Sequence, residues 1–448
     1  MTALALCAQD MGMKVSGSDV AQTFVTDEIL KKRHINWHLG FDKKNIPQFC
    51  DLLVFTASHG GQANVEVMSA LERGIPIYSQ AAAVGLFMKG KLGISTCGVG
   101  GKSTTAAMLA TILQLAGCQP SFVVGVGNIP SLGAPGKYQE EGKFFVAEAD
   151  EYFDPLEDKP KFLFQNPQII ILSNIEHDHP DVYPDLASTM NAYRLFIGKL
   201  PKNGLLIANQ DNKNIVKLFK TLRPLRFKVN TYGFSPNADW QIKDYQLGKK
   251  KAFFKLNNQE YELAIPGKFN AANAAAAIIV SNHLGLTYPR IREALRKFKG
   301  TKRRFEKIAQ IKGIQLLDDY AHHPTEIKAT LETVKLYFPG KRIIAVFQPH
   351  TYSRTKALLG QFAQSFTASQ LVLITSIYAS AREKDDLGIS GQKLVNEIGK
   401  IQRGVFYLND CRSVCNFLKV NVKSGDVIIT LGAGDIFLWH DKIIEGLK

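Results

Sequence analysis

The first ninety residues alternate amphipathic helical stretches with short apolar runs. This pattern predicts a helix over residues 3–11 and strands over residues 14–19, 51–55 and 74–78. Such alternation favours a parallel sheet whose strands are joined by crossover helices. A Rossmann-like unit normally opens with a strand and a glycine loop, whereas here a helix comes first. We therefore expect a Rossmann-like N-terminal unit without its first strand and glycine loop, through truncation or a misplaced start.

The next stretch, from residue 91 to 299, continues the α/β alternation and is the largest of the chain. Its apolar runs predict strands over residues 92–97, 144–146, 169–172 and 205–208. Between residues 228 and 265 the pattern changes to short strand-like segments separated by turns, at 230–234, 252–256 and 261–265. We predict a parallel sheet with a small antiparallel addition.

The α/β rhythm resumes after residue 300, with strands predicted over 315–317, 342–347, 371–375 and 427–430. A chain of 448 residues suggests about three domains. The sequence therefore predicts an α/β protein of three domains, over residues 1–90, 91–299 and 300–448.

Composition narrows the classes of protein that the chain resembles. No apolar run is long enough to span a bilayer, and no basic stretch precedes a long apolar one at the N-terminus, so we expect a cytoplasmic protein without a membrane partner. Six cysteines without C-x-x-C spacing predict neither a disulfide framework nor a zinc site. The net charge of +15 is spread along the chain, and its densest run, Lys249–Lys251, fits a solvated hairpin better than a nucleic-acid surface. A positive field also favours polyanionic small substrates.

The most informative segment follows the predicted strand 92–97 and reads Gly-Val-Gly-Gly-Lys-Ser-Thr, from Gly98 to Thr104. Glycines let backbone N–H groups surround phosphate oxygens, a lysine adds charge, and a serine hydroxyl can reach Mg²⁺. The strict phosphate-loop pattern requires glycine at the position of Thr96, so the match is partial. An ordinary glycine-rich turn with an exposed lysine is the alternative. The strand before and the helical pattern at 106–115 favour a phosphate loop.

Two acidic clusters follow predicted strands of the same unit: Glu148 to Glu151, and Asn174 to Asp181. Ligands of open parallel sheets bind beyond the carboxyl ends of strands, so these groups are expected to converge on a nucleotide at Lys102. Mg²⁺ accepts oxygens from carboxylates and phosphates together. His179 is a less usual ligand for Mg²⁺, and a His/Asp turn held by local hydrogen bonds stays an equal alternative.

Three further segments carry unusual polar residues. Asn270 and Asn273 open an alanine-rich helix, where they fit either ligand contacts or helix caps. Arg303-Arg304-Phe305-Glu306 begins the third unit, and the loop from Asp318 to Glu326 contains an acidic pair and two histidines. We interpret that loop as functional, although adjacent histidines rarely bind one metal ion together.

Taken in order, these segments resemble the Mur ligases along essentially the whole chain. The motifs that carry the resemblance are Gly98 to Thr104, Glu148 to Glu151, Asn174 to Asp181, Asn270 with Asn273, Arg303 to Phe305, Asp318 to Glu326, Phe347 to Thr355, Ser380 to Lys384 and Gly432 to Asp435. The resemblance implies an N-terminal domain for a UDP-sugar, a central ATPase domain resembling P-loop proteins, and a C-terminal Rossmann-like domain that closes over ATP and amino acid.

The resemblance also implies roles for individual residues. Catalytic positions match Lys102, Glu148, His179, Arg304 and His323. ATP-binding positions match Gly98, Val99, Gly100, Gly101, Lys102, Ser103, Thr104, Asn270, Asn273, Arg304 and Asp319. Substrate-binding positions match Asp19, His323 and Arg354, and metal-binding positions match Ser103, Glu148 and His179.

The activity implied is ATP- and Mg²⁺-dependent amide formation between L-alanine and the lactyl carboxylate of UDP-N-acetylmuramate, by a monomer or homodimer. Tyr152 departs from the serine common in members that add alanine, and Glu148 to Tyr152 also resembles members that attach a tripeptide. The segments Phe347 to Thr355 and Ser380 to Lys384 favour alanine. An ATP-binding homologue without ligase activity is another alternative. A helicase or transporter motor is disfavoured by the loop spacing.

Overall fold

The computed structural model describes residues 1–222, 225–248, 251–379, 383 and 385–448. Secondary structure over residues 1–88 comprises α1 (Thr2–Asp10), β1 (Ser16–Asp19), α2 (Asp27–Lys32), β2 (Asn36–Leu39), β3 (Leu53–Phe55), α3 (Val65–Glu72), β4 (Ile77–Ser79) and α4 (Gln80–Met88). Short 3₁₀ turns lie at Lys43–Asn45 and Gly61–Ala63.

The N-terminal strands form two separate parallel pairs, β1 with β2 and β3 with β4. The prediction of one parallel sheet in this unit is therefore correct in strand direction but wrong in continuity. Strand β2 was not predicted because Asn36 and His38 interrupt its apolar positions, and three of its four residues are exposed. This unit is connected to the next one by the packing of α1 and α4 against strands β6 and β8, and not by a continuous β-sheet.

The central unit contains one sheet of ten strands in the order β14-β13-β12-β11-β10-β9-β5-β8-β6-β7. The strands are β5 (Leu92–Cys97), β6 (Ser121–Val123), β7 (Gly136–Lys137), β8 (Phe144–Glu148), β9 (Ile169–Leu172), β10 (Leu205–Asn209), β11 (Lys228–Gly233), β12 (Trp240–Leu247), β13 (Ala252–Leu256) and β14 (Gln259–Leu263). The helices are α5 (Lys102–Leu115), α6 (Leu186–Ile197), α7 (Lys213–Phe219), α8 (Lys268–His283) and α9 (Tyr288–Arg296), with a 3₁₀ turn at Lys161–Phe164.

Strand β5 lies in the middle of the parallel part, with Ile94 opposite Val146 of β8 and Ile169 of β9. These strands are covered on both faces, which explains their continuous apolar sequences. On one face α5 packs against α8, and the alanines that line both helices let their backbones approach closely. On the other face Phe162 and Phe196 stack with ring centroids 4.4 Å apart.

The antiparallel addition contains β13 and β14 as predicted, but its third strand is β12 rather than residues 230–234. Strand β11 pairs in parallel with β10, with Thr231 opposite Ala208, so assigning residues 230–234 to the antiparallel part was wrong. Its half-buried, alternating sequence resembles an antiparallel strand because β11 is near the margin of the parallel region. The antiparallel pairs of this sheet are β12 with β13, β13 with β14 and, at the opposite edge, β6 with β7. Lys251 forms an ion pair with Glu262 beside the β12–β13 turn, while Lys249 and Lys250 lie outside the described residues.

The C-terminal unit has a six-stranded sheet in the order β15-β16-β20-β17-β18-β19, in which only β15 is antiparallel to its neighbour. The strands are β15 (Glu306–Ile311), β16 (Ile314–Asp319), β17 (Ile343–Phe347), β18 (Leu371–Ile374), β19 (Val405–Tyr407) and β20 (Val427–Leu431). The helices are α10 (Pro324–Tyr337), α11 (Tyr352–Ala357), α12 (Leu359–Ala363), α13 (Gly391–Gly399), α14 (Cys411–Asn421) and α15 (His440–Leu447), with a 3₁₀ turn at Ile436–Trp439.

Two further predictions concern the whole chain. In the part of the chain that the structure describes, no helix combines the length and apolar character required to cross a membrane. All six cysteines are free thiols. The sequence predicted no disulfide framework.

The stacked ring of Phe196 provides a test of the packing on the α6 face. Phe196 is fully buried, whereas its neighbour Leu195 is 48% exposed. We expect Phe196→Ala to lower the free energy of unfolding by about 3–5 kcal/mol, because it removes apolar contacts and leaves a cavity. Leu195→Ala is the matched control, with an expected change within about 0.5 kcal/mol. Urea unfolding followed by circular dichroism measures both, and equal losses would contradict this account of the core.

Candidate active site

The glycine loop between β5 and α5 has the backbone that the sequence predicts for phosphate binding. Gly98 and Gly101 have φ angles of 130° and 85°, which disfavour residues with a Cβ. A Cβ at Gly98 would lie 2.1 Å from Ser173 Oγ, and one at Gly101 would lie 2.5 Å from Asn273 Oδ1. Gly100 donates its N–H to Asn174 Oδ1 at 2.9 Å. Residues at the end of β9 and in α8 therefore fix the loop against the start of α5.

Lys102, at the first position of α5, forms a buried ion pair that the sequence analysis did not identify. Its Nζ lies 3.1 Å from both carboxylate oxygens of Glu151, which is only 1% exposed. Burial, reinforced by the neighbouring Asp150 and Asp178 carboxylates, raises the pKa of Glu151 even though Lys102 acts to lower it. The pair places a cation and a titratable carboxylate together at the mouth of the glycine loop.

Ser103 and Glu148 come together as predicted, at the N-terminus of α5. Ser103 Oγ donates to Glu148 Oε1 at 2.9 Å, and the Gly125 N–H donates to Glu148 Oε2 at 2.8 Å. A hydroxyl and a carboxylate beside a helix N-terminus form an oxygen donor set of the kind that Mg²⁺ prefers. The residues present therefore fit a magnesium ion bound together with phosphate.

His179, the third predicted metal ligand, is grouped with other carboxylates. Its Nε2 lies 3.7 Å from Glu151 and 3.7 Å from Asp178. These three side chains offer donor atoms within 4.8 Å of one another, but Lys102 and Arg354 already pair with the two carboxylates. Burial lowers the pKa of His179 to about 4, so its imidazole is neutral at pH 7. The predicted metal set is thus divided between two adjacent clusters.

The C-terminal unit reaches this site through Arg354 of α11. Arg354 Nε donates to Asp178 Oδ1 at 2.7 Å, and Nη1 donates to the carbonyl of His350 at 2.6 Å. Burial acts to raise the pKa of Asp178, but the Arg354 guanidinium outweighs burial and holds that pKa well below its usual range. Both side chains are at most 4% exposed. This ion pair joins the end of β9 to the start of α11.

A cleft of about 350 Å³ opens beside the Asp178–Arg354 pair. Its described lining consists of Tyr152, His179, Pro180, Asp181, His350, Thr351, Ser353, Arg354 and Glu383. Glu383 accepts hydrogen bonds from the N–H groups of Tyr352 and Ser353 at 2.9 and 2.8 Å. Ser380, Ala381, Arg382 and Lys384, which carry part of the family resemblance, lie outside the described residues.

The loop before α10 brings His323 and Glu326 to the glycine loop. His323 is 1% exposed and caps α10, and its Nε2 lies 3.3 Å from the His177 carbonyl oxygen. Glu326 Oε1 lies 3.5 Å from Arg304 Nη1. The same oxygen is close to the glycine loop, since a Cβ added at Gly100 would be only 3.3 Å from it. The predicted functional loop is therefore in contact with the phosphate-loop region.

Asn273 lies against Gly101 of the glycine loop, Asn270 lies beside Asn273, and Arg304 reaches the same region through Glu326. Asp319 accepts N–H bonds from Phe305 and Ala321, both at 2.8 Å, and burial raises its pKa to about 6. Asn270 Nδ2 donates to the Pro266 carbonyl at 2.6 Å, and α8 has no side-chain cap hydrogen bond, so the capping alternative is not supported. A second cavity of about 720 Å³ lies here, lined by residues that include Pro266, Arg304 and Phe305.

Asp19 is the predicted site residue that the structure leaves apart from these groups. It ends β1, and its Oδ1 accepts the N–H of Val20 at 2.8 Å. Within the described residues, no hydrogen bond or ion pair joins Asp19 to the glycine loop or to the cleft. Glu151 and Asp178, in contrast, are central to the site and were not selected from the sequence, although both lie in the acidic clusters identified there.

Comparison with known proteins identifies the family. Sequence models match along the chain: the Mur ligase family catalytic domain at residues 1–92, the Mur ligase middle domain at 97–281, and the Mur ligase glutamate ligase domain at 303–434. The chain belongs to the Mur ligase family. Its three-domain α/β architecture is that of a Mur ligase.

Individual Mur ligases resemble the chain over most of its length. The UDP-N-acetylmuramate–L-alanine ligase of Caldanaerobacter subterraneus subsp. tengcongensis is 38% identical to this chain. The alignment covers 100% of this chain and 95% of that protein. The crystal structure of UDP-N-acetylmuramate-alanine ligase from Thermotoga maritima has a TM-score of 0.79 at 23% identity, covering 99% of this chain and 95% of that one. UDP-N-acetylmuramate:L-alanyl-γ-D-glutamyl-meso-diaminopimelate ligase from Neisseria meningitides has a TM-score of 0.58 at 26% identity, covering 67% of this chain and 95% of that one.

The loop from Asp318 to Glu326 contains His322, which should make the free energy of unfolding of this Mur ligase depend on pH. Burial, together with the charge of Arg354, lowers the pKa of His322 to about 4. The unfolded chain then takes up a proton near pH 6.5 that the folded chain resists until about pH 4, so the free energy of unfolding falls as pH drops across that window.

We expect His322→Gln to flatten this fall, measured as urea midpoints between pH 7 and pH 4.5. His38→Gln, at an exposed position on β2, is the control and should follow the unchanged chain. A pH profile unaffected by His322→Gln would contradict the assignment of a buried neutral imidazole.

Proposed function

We propose that this chain ligates L-alanine to the lactyl carboxylate of UDP-N-acetylmuramate, at the cost of ATP, in peptidoglycan precursor synthesis. The observation that carries the proposal is the 35–38% identity, over nearly the whole chain, to relatives named UDP-N-acetylmuramate–L-alanine ligase. We propose that residues 1–90 bind the UDP-sugar, with Asp19 among them, that residues 91–299 bind ATP, and that residues 300–448 close over ATP and amino acid. The cytoplasm supplies these substrates, and the enzyme acts there as a monomer or homodimer.

In this proposal the glycine loop holds the β- and γ-phosphates of ATP. The backbone from Gly98 to Thr104 supplies N–H donors, and Lys102 supplies the charge. The cavity beside Arg304 takes the nucleoside, with Asp319 accepting from the ribose and Asn270 and Asn273 lying on the nucleotide side. Support comes from the position of Asn273 against Gly101 and from the border of that cavity at Arg304.

Ser103 and Glu148 are the residues that would hold Mg²⁺, with His179 as a nitrogen donor on the Glu151 side. A magnesium ion in this position supplies charge neutralisation for the transferring phosphoryl group. Lys102 and Arg304 act in the same sense as fixed cations, since the transition state of phosphoryl transfer spreads negative charge over oxygens.

The reaction proceeds in two steps that need no covalent enzyme intermediate. The substrate carboxylate attacks the γ-phosphorus of ATP, ADP leaves, and an acyl phosphate remains. The amine then attacks the acyl carbon, phosphate leaves, and the amide forms with loss of one proton. We propose that the amino acid binds in the cleft beside Arg354, and that His323 acts with Arg354 as a substrate-binding residue. Burial lowers the pKa of His350, which lines that cleft, to about 3, so its imidazole is neutral at pH 7 and is a weak base.

The direct test is phosphate release by the purified chain with ATP, Mg²⁺ and UDP-N-acetylmuramate, with and without L-alanine. We expect release that depends on both substrates. Lys102→Ala should lower kcat by at least about 100-fold, because it removes a cation from the transferring phosphoryl group. Lys217→Ala, at an exposed position on α7, is the matched control and should retain the activity. Near-normal turnover in Lys102→Ala would refute the role of the loop.

A tripeptide substrate is the second candidate for the amine. Tyr152 follows Glu151 in this chain, and the similar Neisseria protein is named for L-alanyl-γ-D-glutamyl-meso-diaminopimelate. Replacing L-alanine by that tripeptide in the same assay separates the two. Stimulation by L-alanine alone supports the first proposal, and stimulation by tripeptide alone supports the second. ATP binding without release in the presence of either amine would indicate a homologue without ligase activity.

A further inference from the structure

Tyr152 forms one wall of the cleft beside Arg354, and its position is fixed from several sides. Its hydroxyl donates to Asp181 Oδ2 at 2.5 Å. Its ring meets His179 edge-on, with centroids 4.8 Å apart and planes at 74°, and Lys161 Nζ lies 5.2 Å from the ring centroid. The ring is therefore held as a rigid surface rather than as a freely rotating side chain.

The backbone on either side of Tyr152 strengthens this constraint. The Tyr152 N–H donates to Asp150 Oδ1 at 3.1 Å, and its carbonyl accepts the Lys161 N–H at 2.9 Å. The preceding residue, Glu151, is anchored on Lys102. The backbone of Tyr152 is therefore fixed beside the residue that pairs with Lys102.

The other groups that line the cleft are mainly polar. Arg354, which is paired with Asp178, and Glu383 bring charges of opposite sign to the cleft, and such charges suit the carboxylate and ammonium of an α-amino acid. Among the lining residues within the described part of the chain, Tyr152 has the largest aromatic ring. When an amino acid binds through its carboxylate and ammonium groups, its side chain is expected to contact the Tyr152 ring.

We propose that the ring of Tyr152 sets the size of the amine substrate, admitting a small aliphatic side chain and excluding branched ones. This inference rests on the proposed function, because it assigns the amino acid to this cleft. An apolar pocket discriminates by about 10- to 200-fold for one methylene. A wall held by hydrogen bonds and ring contacts excludes an extra methyl group more strictly than a mobile side chain does.

The test measures kcat/KM for L-alanine, L-2-aminobutyrate and L-valine by phosphate release from the full chain. We expect the unchanged protein to prefer L-alanine. Tyr152→Ala should raise the ratio of L-valine to L-alanine by at least about tenfold, through a lower KM for L-valine, with the KM for ATP unchanged. Tyr152→Phe should keep most of the original ratio, because the ring and its contacts with His179 and Lys161 remain while the hydroxyl that contacts Asp181 is lost.

Tyr288→Ala is the control for loss of a tyrosine elsewhere, since the Tyr288 hydroxyl contacts Asn257 outside the cleft. It should keep the original ratio. If Tyr152→Ala does not fold, judged by its thermal midpoint, Tyr152→Leu replaces it and should show the same direction of change.

The outcomes separate the two claims. Release stimulated by L-alanine with an unaltered ratio in the folded Tyr152 variant overturns the inference and leaves the proposed function in place. An unchanged chain that responds to none of the amines overturns the proposed function, and the inference with it. A ratio altered equally by Tyr152→Phe would assign selection to the hydroxyl and overturn the role of the ring.

Discussion

Two buried ion pairs, with a neutral histidine between their carboxylates, hold the site together. Lys102 at the start of α5 pairs with Glu151 after β8, His179 lies between Glu151 and Asp178, and Asp178 pairs with Arg354 of the C-terminal domain. Removing one member of such a pair leaves a buried charge without a partner, which costs about 3–5 kcal/mol. The ends of two strands and the starts of two helices are thereby fixed relative to one another. The glycine loop and the cleft both depend on that arrangement.

The same charges prepare the site for an anion. Lys102 pairs with Glu151, so the cation is positioned without being left unpaired in a buried location. Under the proposed function, a bound triphosphate would compete with Glu151 for Lys102. The oxygens of Ser103 and Glu148 form a separate group, which remains free of lysine and arginine contacts within the described residues and is therefore better suited to a divalent cation.

Much of the parallel architecture could be predicted because buried strands are continuous apolar runs. Strands β5, β9 and β17 were recognised in this way. Strands β2 and β12 were not, because their polar and exposed residues give no apolar pattern. The error at β11 has a related cause: an alternating half-buried sequence fits either direction of pairing, and only its ladder with β10 decides between them.

The sequence by itself determined the glycine loop, the acidic clusters after the strands and the family, because these depend on residue types at fixed spacings. Tertiary structure decided which carboxylate each cation contacts. Glu148 and Glu151 are three residues apart on one segment, yet one bonds Ser103 and the other Lys102. Asp178 and Arg354 are 176 residues apart, and their contact exists only because the C-terminal domain packs against the end of β9. Spacing along a chain fixes what a local segment can bind, whereas the pairing of distant charges is set by how the domains meet.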